Sequence, residues 1–481
     1  MQPFPLLFHL PCMKPNKLLA ALLLLCSLTS MARAQDSENN EKHFSRQQLE
    51  NDITYLTAVI ARVHPDMYHH CPKVQYEKIT DSVRQVMYDG MTEREAWPPL
   101  ARLVGAIGEG HSTFDFPPGI IDRLKNGGRL LFPVSISRFD GRNLVVNLDR
   151  SNENQLLPGD QITSINGISA GKLIDTLSGY AGGLKTFRAL DVCRNIITFM
   201  YLYRIESPYH IAYLRNGNPG SATLTAVNWP ELRDNQAARK VKLPAASGQP
   251  ADNFTYLDKT TAYFNITHLT EKPEIFKHYL DSCFTILKKR PAVKLIIDFR
   301  KNGGGNSVLG ETLLGYITGK PFRMSGGERW KVSAEYKQRI RENSKDTAQM
   351  AFYLNAPDGS IISGNAEKPK IPAPNPLRYT GKVFVLIGPN TFSSANMTVN
   401  AIQDYHLATL VGEPTGEPAN DYGELIFLKL PNTGLSFATS TKQFVRANGD
   451  SKDQHPVLPK YDIADDLATP QDEVLDFIKK L

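Results

Sequence analysis

Between residues 260 and 412 the chain alternates short apolar, β-branched runs with longer stretches of helical spacing, and this alternation leaves few folds open. The segments "TAYFNITHL", "AVKLIIDFR", "KVFVLIG" and "ATLVGEP" read as buried strands. "PEIFKHYLDSCFTILKK", "SVLGETLLGYITG" and "ANMTVNAIQDY" read as the helices between them. Strands that alternate with helices in this way predict an α/β fold, a mostly parallel sheet covered by helices. Sites in such sheets gather at the carboxyl ends of the strands.

Two turns fall at those ends. In "DFRKNGGGNS" Gly303, Gly304 and Gly305 directly follow a buried-type strand. Three successive glycines allow positive φ and leave N–H groups pointing outward, a nest suited to an anion or oxyanion. A phosphate loop is disfavoured, since the lysine-serine ending of that motif is missing. In "VFVLIGPNTFSSANMTVNAIQDY" an apolar run stops at Gly388-Pro389-Asn390, and Ser393 and Ser394 lead into helical spacing. A serine at a sharp strand-to-helix turn is exposed at the sheet's edge, and the next N–H, at a helix start, can hold an oxyanion. The competing reading is that Thr391, Ser393 or Ser394 only caps the helix.

The first 34 residues are set apart from the fold. Lys14 and Lys17 precede "LLAALLLLCSL", and Ala32-Arg33-Ala34 offers a small-residue cleavage site, the pattern of a secretory signal. The apolar run is shorter than a membrane span requires, and Leu25 before Cys26 does not fit a lipoprotein signal. Met13 is itself a normal signal start. Cleavage would remove three bases and no acids and lower the net charge from +6 to +3, so nothing calls for nucleic acid. Cys71, Cys193 and Cys283 then remain, widely spaced and odd in number, which argues against a disulfide scaffold or a zinc cluster and leaves one bridge open.

Residues 35–127 carry helical apolar spacing in "LENDITYLTAVIARVHPDMY" and "AWPPLARLVGAIG". His64 stands before Pro65 and ends the first helix. His111 lies in the glycine-flanked loop "GEGHSTFDFPPG", where alone it reads as a structural or surface histidine. Residues 128–235 form a β-rich unit with paired strands in "LLFPVSISRFDGRNLVVNL" and a hairpin turning at "NGNPG". That pattern resembles a PDZ-type module, whose sheet edge accepts a peptide strand; an all-β spacer is the alternative. Residues 236–481 hold the α/β pattern behind a polar, proline-containing stretch.

The order of "TAYFNI", "IIDFRKNGGGN", "VFVLIGPNTFSSANMTVNAIQDY", "LVGEPTGEPANDYG" and "HPVLPKYDI" resembles the tail-specific (C-terminal processing) and tricorn-core family of serine peptidases. The resemblance implies a crotonase-like catalytic domain joined to an N-terminal helical segment and a PDZ-like domain. It places the nucleophile on Ser393, one oxyanion donor on Ser394 and the other on Gly303 or Gly304, and the general base on His111. The bacterial tail-processing branch carries a lysine base after "GEPT", where this chain has Gly416-Glu417-Pro418 and no lysine before Lys429. The resemblance is therefore closer to the tricorn-like branch. The acid slot of that branch falls on Asp453, although Gln454 and Pro456 stand where glycines are usual.

The expected activity is acyl transfer from a peptide or protein substrate to water, with no cofactor, no metal, no nucleic acid and no stable membrane insertion. A non-catalytic protein binding peptides or apolar ligands on the same fold, or an esterase or amidase for small acyl groups, would share these features. Sequons at Asn253, Asn265 and Asn396 bear on the setting, because a glycan on Asn396 would crowd the path to Ser393. That favours a bacterial periplasmic, envelope or secreted protein over a glycosylated one.

Overall fold

The computed structural model describes residues 42–239, 253–343, 348–364, 368–464 and 471–481. The signal expected over residues 1–34 lies outside them, as does most of the polar stretch before residue 253.

Helix α1 (Arg46–Val63) starts at a capping box, in which Ser45 accepts from the amide of Gln48 and the Gln48 side chain answers the Ser45 amide. It ends where expected, with His64 extended at its C-cap before Pro65. Leu49, Ile53, Leu56 and Ile60 fall on one fully buried face. Buried Asp52 on the same helix accepts hydrogen bonds from Asn432 and Thr433, through both backbone amides and both side chains, at 2.7–2.9 Å. Helix α2 (Glu93–Gly105) then leads into the loop that carries His111.

Five antiparallel strands follow, β1 (Val134–Phe139), β2 (Leu144–Asp149), β3 (Gln161–Ile165), β4 (Tyr209–Arg215) and β5 (Asn218–Leu224), in the order β1-β2-β3-β4-β5. Helix α3 (Lys185–Arg194) packs along the edge strand β1. The hairpin turn between β4 and β5 is shorter than "NGNPG", because Asn216 and Gly217 both take positive φ and form a two-residue turn with Asn218 already paired.

The alternating region folds as the sequence predicts. Strands β6 (Asn253–Tyr256), β7 (Thr261–Asn265) and β8 (Lys294–Asp298) enter a six-stranded sheet that continues with β11 (Lys382–Ile387), β12 (Thr409–Gly412) and β15 (Tyr461–Asp462). All its pairs from β7 onward are parallel. Helices α4 (Pro273–Lys289), α5 (Ser307–Ile317) and α6 (Ser394–Tyr405) bury one face through Phe284, Leu313 and Val399. The other face buries Tyr263, Ile296 and Phe384 against Val474 and Ile478 of the C-terminal helix α7 (Glu473–Lys480).

A second sheet is interleaved with the first in sequence. It comprises β9 (Gly327–Lys331), β10 (Ile361–Gly364), β13 (Asp421–Lys429) and β14 (Ser436–Val445), in the order β10-β9-β14-β13. The short strand Thr113–Phe114 pairs antiparallel with Ala438 and Phe437 of β14, so the loop bearing His111 is tied to this sheet. Its far side is held by the amide of Gly183, which donates to the Gly108 carbonyl at 2.9 Å. Cys71, Cys193 and Cys283 are all free and buried, so the bridge left open by the sequence is not formed among them. No helix among the described residues is long and apolar enough to cross a membrane.

Asp52→Ala removes the acceptor from two backbone and two side-chain donors in a buried setting. We expect a loss of stability of about 2–4 kcal/mol in urea unfolding; a loss below roughly 0.5 kcal/mol would mean that α1 is not held by this contact.

Candidate active site

The serine turn and the glycine turn end neighbouring strands, since β8 and β11 pair in parallel with Asp298 opposite Leu386. Their side chains and backbone lock them together. The Thr391 hydroxyl donates to the Phe299 carbonyl at 2.8 Å and accepts the Gly388 amide at 3.0 Å. The Phe392 amide donates to the Asn302 carbonyl at 3.1 Å, and the Ser394 hydroxyl donates to the Gly305 carbonyl at 2.7 Å. Buried Asn302 adds a brace: its side chain donates to the Ile266 carbonyl and accepts the Gly304 amide.

These contacts decide between capping and exposure. Ser393 stands at the N-cap of α6 but makes no side-chain capping bond, and Thr391 and Ser394 spend their hydroxyls on the glycine turn. Ser393 adopts φ +54° and ψ −129°, a conformation that favours glycine and strains a residue with a Cβ. Such strain persists only where the surroundings over-determine the backbone, as the cross-links here do.

Two amides of these turns have no acceptor within the described protein, those of Ser394 and Gly303. The Ser394 amide opens a helix, where the backbone dipole favours negative charge. The Gly304 amide is consumed by Asn302, so of the two glycine donors expected from the sequence only Gly303 is open. Gly304 has a different role: with φ +96°, a Cβ there would lie 2.6 Å from the Ser393 Cβ and 2.9 Å from the Ser394 nitrogen. Its lack of a side chain makes room for the serine.

His111 is 9% exposed, and its ring lies 4.7 Å from that of Phe392, the residue before Ser393. Its Nδ1 has no hydrogen-bond partner, although it stands 3.5 Å from Glu417 Oε2 and 4.0 Å from Glu109 Oε2. The other oxygen of Glu417 accepts the backbone N–H of Ser393. One carboxyl group thus touches both the serine turn and the histidine. Burial lowers the His111 pKa from its usual value near 6.5, against the opposing charge of Glu109, so the imidazole is neutral at pH 7.

Three buried carboxyl groups surround this contact. Burial, with the charge of Asp421, pushes Glu417 well above the ordinary carboxylate range, although the Ser393 amide pulls the other way. Burial raises Asp421 likewise, and its Oδ1 has no hydrogen-bond partner. Burial would also raise Glu109, but contact with His64, the charges of the two histidines and the Ser112 hydroxyl outweigh it and hold that carboxyl down at about 2.

Asp453 is not brought to His111. Its carboxylate is engaged by Arg446 and by the amide and Nδ1 of His455, the latter at 2.9 and 2.8 Å. The acids facing His111 are Glu417 and Glu109, neither of which sequence reasoning chose. Glu417 occupies the slot noted for lacking a lysine, and Glu109 stands two residues before His111. The downstream lysines are elsewhere: Lys429 is exposed, and Lys442 pairs with Glu328 at 3.3 Å over the Trp330 ring. Asn396 is fully buried and donates to the Pro418 carbonyl, and Asn265 is 8% exposed, so neither sequon is available in the folded chain.

Ser393→Gly should relieve the positive-φ strain and stabilise the fold by about 1 kcal/mol relative to Ser393→Ala, read from thermal or urea unfolding. Equal stability of the two variants would show that the turn is unstrained.

Residues 260–463 match the profile of peptidase family S41. No curated protein is matched significantly. Among solved structures the fold is similar to mature CPAF, at 14% identity and a TM-score of 0.58 over 87% of this chain and 92% of that one. The structure of mature CPAF complexed with lactacystin gives 14% identity and a TM-score of 0.59, covering 90% of this chain and 98% of that one. The matched region contains both turns and Glu417 but not His111, and residues 260–463 are a peptidase family S41 domain, of serine type by family.

Proposed function

We propose that the protein is an exported serine endopeptidase in which Ser393 forms the acyl-enzyme and His111 is the general base. The observation that carries this reading is the carboxyl group of Glu417, which accepts the Ser393 amide with one oxygen and faces His111 Nδ1 with the other. His111 takes the Ser393 hydroxyl proton as Oγ attacks the scissile carbonyl, and the amides of Ser394 and Gly303 receive the oxyanion. The imidazolium returns that proton to the leaving amine. Water then attacks the acyl group with His111 again accepting a proton, which it gives back to Ser393 as the carboxylic acid leaves. Asp453 has no part in this unit; Glu417 takes the position beside Nδ1.

Residues 35–127 serve as the carrier of His111, residues 128–235 as a PDZ-like module and residues 236–481 as the catalytic domain. The open edge of β1, flanked by α3, is the place where such a module would add a peptide strand. Export rests on the basic, apolar and small-residue pattern of residues 1–34.

Turnover of a peptide panel against matched esters tests the reading. Ser393→Ala and His111→Ala should each reduce kcat/KM at least about 10³-fold, because such groups fail as a unit. Lys429→Ala and Lys442→Ala should keep most of the activity. Since neutral His111 is the reactive form and burial lowers its pKa, kcat/KM should rise with pH through a value below 6.5. An active His111→Ala enzyme together with a dead lysine variant would assign the base to lysine instead, and cleavage of esters alone would make the protein an esterase.

A further inference from the structure

Behind His111 lies a second histidine that the mechanism leaves unused. His64, at the end of α1, has no exposed surface. The Asp66 amide donates to its Nδ1 at 3.0 Å, so the ring N–H of the neutral form sits on Nε2. That Nε2 has no closer partner than Glu109 Oε1, 3.6 Å away. Tyr422 packs on the His64 ring at 4.9 Å, and Lys331 Nζ donates to the His64 carbonyl at 3.0 Å. The ring is therefore held in one orientation.

Glu109 is fixed just as firmly. Its Oε2 accepts the His111 backbone amide at 2.6 Å, and its Oε1 accepts the Ser112 hydroxyl and the Ser440 hydroxyl, the latter at 3.1 Å. The carboxylate thus stands between two histidines, 3.6 Å from His64 Nε2 and 4.0 Å from His111 Nδ1, the latter also facing Glu417 at 3.5 Å.

We propose that Glu109, anchored by His64, is the positioning residue that supplies the negative charge facing His111 during acyl transfer. The proposal rests on the assignment of Ser393 and His111 above. The titratable groups packed around Glu109 are His64, His69, His111, Glu417, Asp421 and Tyr422. Burial pushes both Glu417 and Asp421 up, Glu417 further through the charge of Asp421 and Asp421 further through that of Glu109, whereas contacts with His64 and the Ser112 hydroxyl hold Glu109 down. Both oxygens of Glu109 accept donors, an amide on one and two hydroxyls on the other, the setting of an ionised carboxylate beside His111. At 4.0 Å from Nδ1 it favours the tautomer with the proton on that nitrogen, which leaves Nε2 to accept the serine proton, and it stabilises the imidazolium that results. No atom is transferred to Glu109 or His64: the proton passes from Ser393 to His111 and on to the leaving amine.

Two isosteric or near-isosteric changes at this pair should move the pH profile in opposite directions. Glu109→Gln removes the anion that favours protonated His111, so the acid limb of kcat/KM should shift to lower pH. The same variant should lose at least about tenfold in kcat with KM within about twofold. His64→Phe leaves Glu109 buried without its histidine, so the carboxylate takes up a proton more readily and activity should disappear at higher pH than in the wild type. His64→Gln, which keeps an N–H at that position, should restore the limb toward the wild type, and it decides the question with Glu109→Gln even if His64→Phe does not fold. Equal scaling of kcat/KM at every pH in the folded variants, or unchanged profiles, would overturn the proposal and leave the pair a packing element. If Ser393→Ala and His111→Ala are themselves active, the site assignment has failed; if they are inactive while Glu109→Gln keeps the wild-type profile, only the present inference has.

Discussion

The structure depends on the cross-linking of two turns at the carboxyl ends of adjacent parallel strands. The pairing of β8 with β11 brings the turns together, but it is the hydroxyls of Thr391 and Ser394 and the backbone of Asn302 that fix one against the other. Ser393 can hold a strained φ only because its neighbours on both sides are tied to the glycine turn. The same ties hold the open amides of Gly303 and Ser394 rigid in the two turns, and in the proposed reaction an oxyanion gains most from donors that need no rearrangement.

The second requirement is that a residue from the amino-terminal segment reaches this place. His111 arrives because its loop is clamped between β14, through Thr113 and Phe114, and the glycine segment near Gly183. Helix α1 is fastened to the hairpin joining β13 to β14 by Asp52, which also delivers His64. The cost is a buried group of three carboxyl groups and two histidines. Such clusters are expensive unless protons or hydrogen bonds compensate. Here Glu109 is compensated by hydroxyls, an amide and His64, whereas burial pushes Glu417 and Asp421 toward their neutral forms.

The parallel strands were legible because they are buried on both faces and so appear as uninterrupted apolar runs, with Pro273 and Gly-rich turns marking their connections. Strands β9, β10, β13 and β14 were not, because polar and apolar residues mix along them and they are inserted between the units of the stronger pattern. Ser393 and His111 stood out in motifs, whereas the acids that face His111 did not. Asp453 sat in a plausible slot, yet Arg446, seven residues earlier on the end of the second sheet, claims its carboxylate. Glu417 was read only as the absence of lysine, since nothing in linear order says that its two oxygens span from Ser393 to His111. His64 was read correctly as a helix terminator, and its second relation, to Glu109, exists only once α1 is packed on the second sheet.

Whether Ser393 is the activated hydroxyl of this site is tested by intact-mass and peptide mapping after treatment with a fluorophosphonate. A single adduct on Ser393 is expected in the wild-type chain, and no adduct in folded Ser393→Ala or His111→Ala protein. An adduct on Ser394, or none on wild-type protein that turns over peptides, would contradict that assignment.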